Sequence, residues 1–358
     1  LRIFNHSLKE RSIDIMSENF QIQYNNELKD VEADWVRIYD CSTLSYFCSL
    51  NWHKVVLAFL QKTLITKRRN KIKYFTITNG DEINVLGFFF IRNYKGQRKI
   101  IFGHLLGPSD YYDFVYSDIA NLKLTGSILT KIMDDHKATA FSMGHVKQHS
   151  LLYNWMTCLK PVQINPLACV AITLPNEFKD YLNLLSTNAK QNLRTAQNRL
   201  RKNNLHTDFS LLGRNDLEKI DFQSLKRIYK DRNRSKEGSQ SWQSKLYVNL
   251  DSIFKGYPDM FDLMETLETD FSLGVLRING NLAAYFFGFC KKQSIEINRV
   301  AIVHEYKFYS PGILLFHEFI KNHISKGLRV VDLTVGDEKY KYDLGGKTHE
   351  VFNITFEK

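Results

Sequence analysis

The chain has 358 residues, 44% hydrophobic and 13% aromatic, and carries a formal charge of +11. That length exceeds what one core usually organises, so two domains are expected, and the apolar content excludes a disordered chain. No apolar run reaches the ~18–20 residues of a membrane-spanning helix, and the basic balance favours anionic ligands. Residues 1–17 mix charged and apolar side chains, so no secretory leader is expected, and the missing initiator Met suggests a trimmed chain. Five cysteines (Cys41, Cys48, Cys158, Cys169 and Cys290) are odd in number, widely scattered and without metal-binding spacing. No metal is therefore expected, and a reducing cytoplasm is.

Lys67, Arg68, Arg69 and Lys71 form a short basic run, read as a solvated loop or as a contact for anionic lipid or nucleic acid. Residues 73–78 and 83–92 are β-type runs around Asn79-Gly80, whose residues suit the positive φ of a tight hairpin. A third strand is expected over 97–106, then a loop, Leu106-Gly107-Pro108-Ser109-Asp110-Tyr111-Tyr112. A helix is expected over 118–136 on Ile119, Leu122, Ile128, Ile132 and Met133, then a strand over 138–143. Prolines 161 and 166 mark a connection between domains.

The second half repeats this order. Ser186 or Thr187 caps a helix through Lys202, with an apolar stripe of Ala189, Leu193, Ala196 and Leu200. Lys190, Arg194 and Arg201 lie off that stripe. They form either a cationic rail for a phosphate-bearing ligand or a solvated face. Lys226, Arg227, Lys230, Arg232, Arg234 and Lys236 add a second basic stretch. Runs 271–278 and 282–290 flank Asn279-Gly280, and 294–302 is a third strand. A helix over 312–326 stops at Gly327, and 328–333 is a short strand, parallel after a helical crossover. Two Asn-Gly hairpins 200 residues apart, each followed by the same elements, indicate a diverged duplication.

The ordered set of Asn279-Gly280 leading to Ala283-Ala284, then Ser310-Pro311-Gly312 with Leu314-Leu315, then Asp332, Gly336-Asp337 and Tyr340-Lys341, resembles the GNAT acyltransferase superfamily. The closer likeness is to its CelD-like branch, which is related to the Fem-type peptidoglycan aminoacyl transferases. The resemblance covers 175–346 well and the first half more weakly; Trp52 and the 106–112 loop also match, Trp52 as either a family position or a buried anchor. It implies an α/β fold of two tandem GNAT-like halves, each a mixed twisted sheet flanked by helices. The halves would be 18–165, binding the acceptor, and 166–358, carrying the acyltransferase chemistry.

In such a half, splayed strands open the backbone at Val300, Ala301 and Ile302 to a pantetheine arm. The helix entrance at Tyr309, Ser310, Pro311, Gly312 and Ile313 faces the pyrophosphate. Gly312 is the only glycine there, so the glycine-rich loop of typical GNAT acetyltransferases is missing, and a plain helix start is the other reading. The implied donor is acetyl-CoA or another acyl-CoA, and the acceptor an amine on a sugar or cell-surface precursor bound at Asp110, Tyr111 and Tyr112. Glu296 and Asp332 are candidate bases, Tyr340 an acid for the leaving thiolate, and Lys341 an oxyanion or phosphate contact. Asp332 could equally stabilise a turn. Two other readings stay open: an aminoacyl-tRNA donor tracked by the basic helix, and a non-catalytic basic module on the same scaffold.

Overall fold

The computed structural model describes residues 20–61, 71–79, 82–94, 96–103, 109–116, 127–148, 150–157, 159, 162–237 and 271–358. The reading of 1–17, the basic residues 67–69, Gly80, residues 106–108, Ile119, Leu122, Cys158 and Pro161 lie outside the described residues, as do the side chains of Arg232, Arg234 and Lys236.

In chain order the first half holds β1 (Phe20–Asn25), α1 (Glu32–Asp40), α2 (Leu50–Gln61), β2 (Lys71–Asn79), β3 (Glu82–Tyr94), β4 (Gln97–Phe102), β5 (Val115–Tyr116), α3 (Ser127–Asp135), β6 (Ala140–Lys147) and α4 (Leu151–Thr157). The rest holds β7 (Val162–Thr173), α5 (Phe178–Leu184), α6 (Thr187–Lys202), β8 (Thr207–Leu212), α7 (Phe222–Glu237), β9 (Ser272–Ile278), β10 (Asn281–Lys291), β11 (Ser294–Ile302), α8 (Pro311–His323), β12 (Val330–Val335), α9 (Lys339–Asp343) and β13 (Lys347–Glu357). Asn279 and Gly280 take φ of 48° and 80°, the pair of positive values that a two-residue hairpin between β9 and β10 requires. Gly327 ends the helical segment in the left-handed region.

The described strands form one mixed sheet in the order β1-β2-β3-β4-β6-β13-β7-β12-β11-β10-β9-β8, with β5 on β3. Its parallel pairs, β4 with β6 and β11 with β12, follow the crossover helices α3 and α8. Each half therefore repeats three antiparallel strands, a helix and a parallel strand. Between them the segment read as a connection is the start of β7, and β13 returns to lie between β6 and β7.

The second-half strands are buried on both faces, which explains their almost unbroken apolar runs. On one face, Leu276, Phe286, Ile295, Ile297, Val331 and Leu333 pack under α6 and α8, with the Phe286 ring stacked on Phe316. On the other, Tyr285, Phe287 and Phe289 join the first-half core, where Phe289 contacts Tyr46, Phe47 and Trp52. Trp52 is fully buried and donates its indole N–H to Ser109 Oγ at 2.6 Å, so it anchors the 109–114 segment that reaches the second half.

Candidate active site

The site begins where two strands part. β11 and β12 pair only through Ser294–Glu296 and Val330–Asp332. In β11 the register against β10 then slips, with Phe287 opposite Arg299 and Gly288 opposite Ile297, so Asn298 is the extra residue of a bulge. Gly288 permits it: a Cβ there would stand 2.5 Å from the Glu296 carbonyl oxygen. β12 turns away at Thr334, whose φ is 54° and whose hydroxyl donates to the Ile297 carbonyl at 3.0 Å. Lys341 fixes the diverging segment. Its buried ammonium donates to the carbonyls of Thr334, Val335 and Gly336 at 3.0–3.2 Å and pairs with Glu338 at 3.2 Å.

Six ionisable side chains from both halves meet at this fork. Glu296 and Asp332 are register neighbours on the two strands, and both are buried. Glu296 accepts hydrogen bonds from Ser45 Oγ at 2.7 Å and the Tyr46 amide at 2.9 Å. Asp332 accepts from the Tyr111 hydroxyl at 2.6 Å and from the Thr334 amide at 2.9 Å, so it holds a turn and faces the cluster at once. Lys147, at the end of β6, places its ammonium 3.6 Å from Glu296 and 3.7 Å from Asp332, over the Tyr111 ring. Asp110 accepts from the Asn298 side-chain amide. His349, from β13, lies 3.3 Å from the Tyr111 hydroxyl.

Glu296 and Asp332 share the Lys147 ammonium, with Asp110 close enough to feel both carboxylates, and their protons are held accordingly. Burial pushes Asp110 up to about 7; hydrogen bonds from Asn298 and Thr334 oppose this, and the charges of Asp332 and Glu296 add to it. Glu296 is likewise raised by burial, with Lys147 pulling the other way and Asp332 adding. Burial alone would lower Lys147, but Glu296 and Asp332 more than compensate and hold it above its ordinary value. Burial lowers His349, favouring its neutral imidazole. A carboxylate that titrates near neutrality in such a setting can take a proton at working pH.

From the bulge, β11 runs into a cavity of about 1060 Å³. Seven of the eight anticipated cofactor residues line it: Val300, Ala301, Ile302, Ser310, Pro311, Gly312 and Ile313. Tyr309 instead packs against the second core cluster. Tyr340, Glu338 and Lys307 complete the wall on one side and Ile228 and Asp231 of α7 on another. Beyond Glu296, β11 has no β12 partner, so the edge of 298–302 can bond amides of an extended arm. At the α8 entrance Ser310 is left-handed (φ 51°) and Pro311 has no N–H. A Cβ on Gly312 would meet only Ile302, at 3.5 Å, so the missing side chain leaves room over the helix start. These residues fit a pantetheine arm well and offer a pyrophosphate fewer amides than a glycine-rich loop would.

Other anticipated residues lie elsewhere. Tyr112 is buried in the first half and donates to the Phe88 carbonyl at 3.2 Å. The α6 helix forms as read: Ser186 caps it by accepting from the Ala189 amide at 3.1 Å, and its apolar stripe is buried. Arg194 and Arg201 are exposed, and Lys190 donates to the Asn183 carbonyl at 3.2 Å. Arg199 is the α6 cation nearest the helix entrance, bonding the Phe308 carbonyl at 2.6 Å and lying over its ring. Sequence reading did not find Ser45, Lys147, Asn298, Thr334 or His349. No local pattern marks them, since their partners are as many as 251 positions away.

Comparison with known proteins follows the same lines. A conserved protein of unknown function from Bacteroides thetaiotaomicron superposes with a TM-score of 0.53 at 13% identity, over 94% of this chain and 100% of that one. FemX aligns over 92% and 96% of the two chains (TM-score 0.48, 10% identity). A tandem GNAT protein from the clavulanic acid biosynthesis pathway aligns over 94% and 98% (TM-score 0.47, 9% identity). At 13% identity the likeness to the first of these is one of fold alone. No curated protein matches the chain. Residues 187–342, which hold the fork, most of the cavity lining and the Tyr340-Lys341 pair, match the model of the acetyltransferase (GNAT) domain.

Proposed function

We propose that the protein is a CoA-dependent N-acyltransferase of the CelD-like branch, acting in the cytoplasm on an amine of a sugar or cell-surface precursor. The observation that carries this reading is the cavity of about 1060 Å³ that joins the splayed edge of β11 to the start of α8. Acyl-CoA would supply the activated acyl group as a thioester. Val300, Ala301 and Ile302 would bond its amide arm, and Ser310 to Ile313 with Lys307 would face its phosphates. The acceptor enters from the first-half side, where residues 18–165 contribute Asp110, Tyr111 and Lys147. Asp110 takes the amine proton in this reading, and Glu296 with Asp332 holds the ammonium of Lys147 in place. Tyr340 lines the cavity, and in this reading its hydroxyl protonates the leaving thiolate. Lys341, committed to three carbonyls, keeps the fork open and acts through position.

Calorimetric titration with acetyl-CoA and desulfo-CoA tests this directly. One saturable site per chain is expected, weakened about tenfold or more by Gly312→Val, whose methyls fill the space over the helix start. No binding at millimolar ligand, with aminoacyl-tRNA binding instead, would replace the donor by the Fem-type one.

A further inference from the structure

A second cavity, of about 600 Å³, opens in the first half where β2 and β4 begin and α3 ends. It shares no lining residue with the cavity at β11. Lys71, Lys73, Arg98 and Lys137 line it, with His136 and one carboxylate, Asp135. That carboxylate is already engaged: it accepts from the Tyr24 hydroxyl at 2.7 Å and from Lys131 at 3.2 Å. Among the described residues Lys73 donates to the side-chain oxygen of Asn26. Arg98 Nε and His136 Nε2 are both shut off from water and have no hydrogen-bond partner among the described residues. Burial first, then the charges of Lys73 and Arg98, hold His136 below its ordinary value.

Four cations around one committed carboxylate repel one another, and the unpartnered buried N–H of Arg98 is costly. The negative end of α3 accounts for His136 and Lys137, which follow its last turn. It does not account for Lys71, Lys73 and Arg98, which come from two strands. The floor also offers apolar surface at Ile72 and Ile91, and the volume suits a small molecule. We propose that this cleft is a second binding site, separate from the acyl-transfer cavity, for a small phosphorylated ligand whose phosphate sits among Lys71, Lys73, Arg98 and Lys137. Lys71, the last residue of the basic run at 67–71, thereby gains a role as an anion contact.

Inorganic pyrophosphate is the probe. The full chain is titrated calorimetrically, and the His136 ring is followed by NMR as pH is varied. Saturable binding is expected, about tenfold or more weaker in Arg98→Gln and in the exposed pair Lys71→Gln/Lys137→Gln, and unchanged in Gly312→Val. Bound pyrophosphate should raise the His136 pKa, because an anion replaces an uncompensated positive field. The surface pair is expected to fold whatever becomes of Arg98→Gln. Absent binding, binding equal in the charge variants, or binding lost only in Gly312→Val would overturn the proposal.

Discussion

In the proposed mechanism the chemistry turns on Asp110. Its carboxyl is raised to about 7 chiefly by burial, so the ionised form gains population as pH rises through neutrality. Acyl transfer should rise over the same interval. Asp110→Asn should remove that limb of the pH profile and lower kcat/KM by roughly 10²–10⁴-fold, the span of a lost general base. Stability moves the other way. A carboxyl with a folded pKa above its unfolded value binds its proton more tightly when folded, so folding stability falls as pH rises from about 4 to about 7. Asp110→Asn should therefore be less sensitive to pH over this window in denaturant titrations. An unaltered pH–rate profile in the variant would move the base role to Glu296, which is also raised by burial.

At the level of elements, the fork between β11 and β12 depends on small local devices. The Asn298 bulge, the left-handed Thr334 and the Lys341 ammonium together turn one strand away from its neighbour. Lys341→Met keeps the length of the side chain but leaves three carbonyls without their shared donor. It should cost about 2–4 kcal/mol of stability, read by denaturant unfolding. The same variant should raise KM for the acyl donor more than it lowers kcat, as expected of a residue that positions the fork. A pure kcat loss with full stability would instead assign Lys341 to the chemistry. These elements were partly legible in advance. The Asn-Gly hairpin, the period of α6 and the β11 run 294–302 follow from local preference, which a window of residues carries. The bulge does not, because it is set by how β10 and β11 register against each other. Asp110, Tyr111 and Asp332 were identifiable from motif likeness and Glu296 from its place on the 294–302 strand, yet their meeting was not. It depends on contacts such as Tyr111 to Asp332, 221 positions apart, and on Lys147, which no motif distinguishes.

Across the whole molecule, one sheet joins the halves through β13, which pairs with β6 on one side and β7 on the other. Neither periodicity nor composition predicted that insertion, since strand neighbours are chosen by long-range packing. Ile354 is fully buried in β13. Ile354→Asp should abolish cooperative unfolding of the first half and the second together, because the charge has no partner there. A variant in which only one half loses its melting transition would show that the halves fold apart.

The position of β13 also orders events during synthesis. Every other described strand leaves the ribosome before it, so β6 and β7 wait with open edges until residues 347–357 emerge. An unpaired edge is a place for wrong partners. His349 arrives with that strand and completes the surroundings of Tyr111. A nascent chain short of β13 would thus be both vulnerable to misassociation and without His349 beside Tyr111, so the cluster at the fork is complete only once β13 has been threaded between the halves.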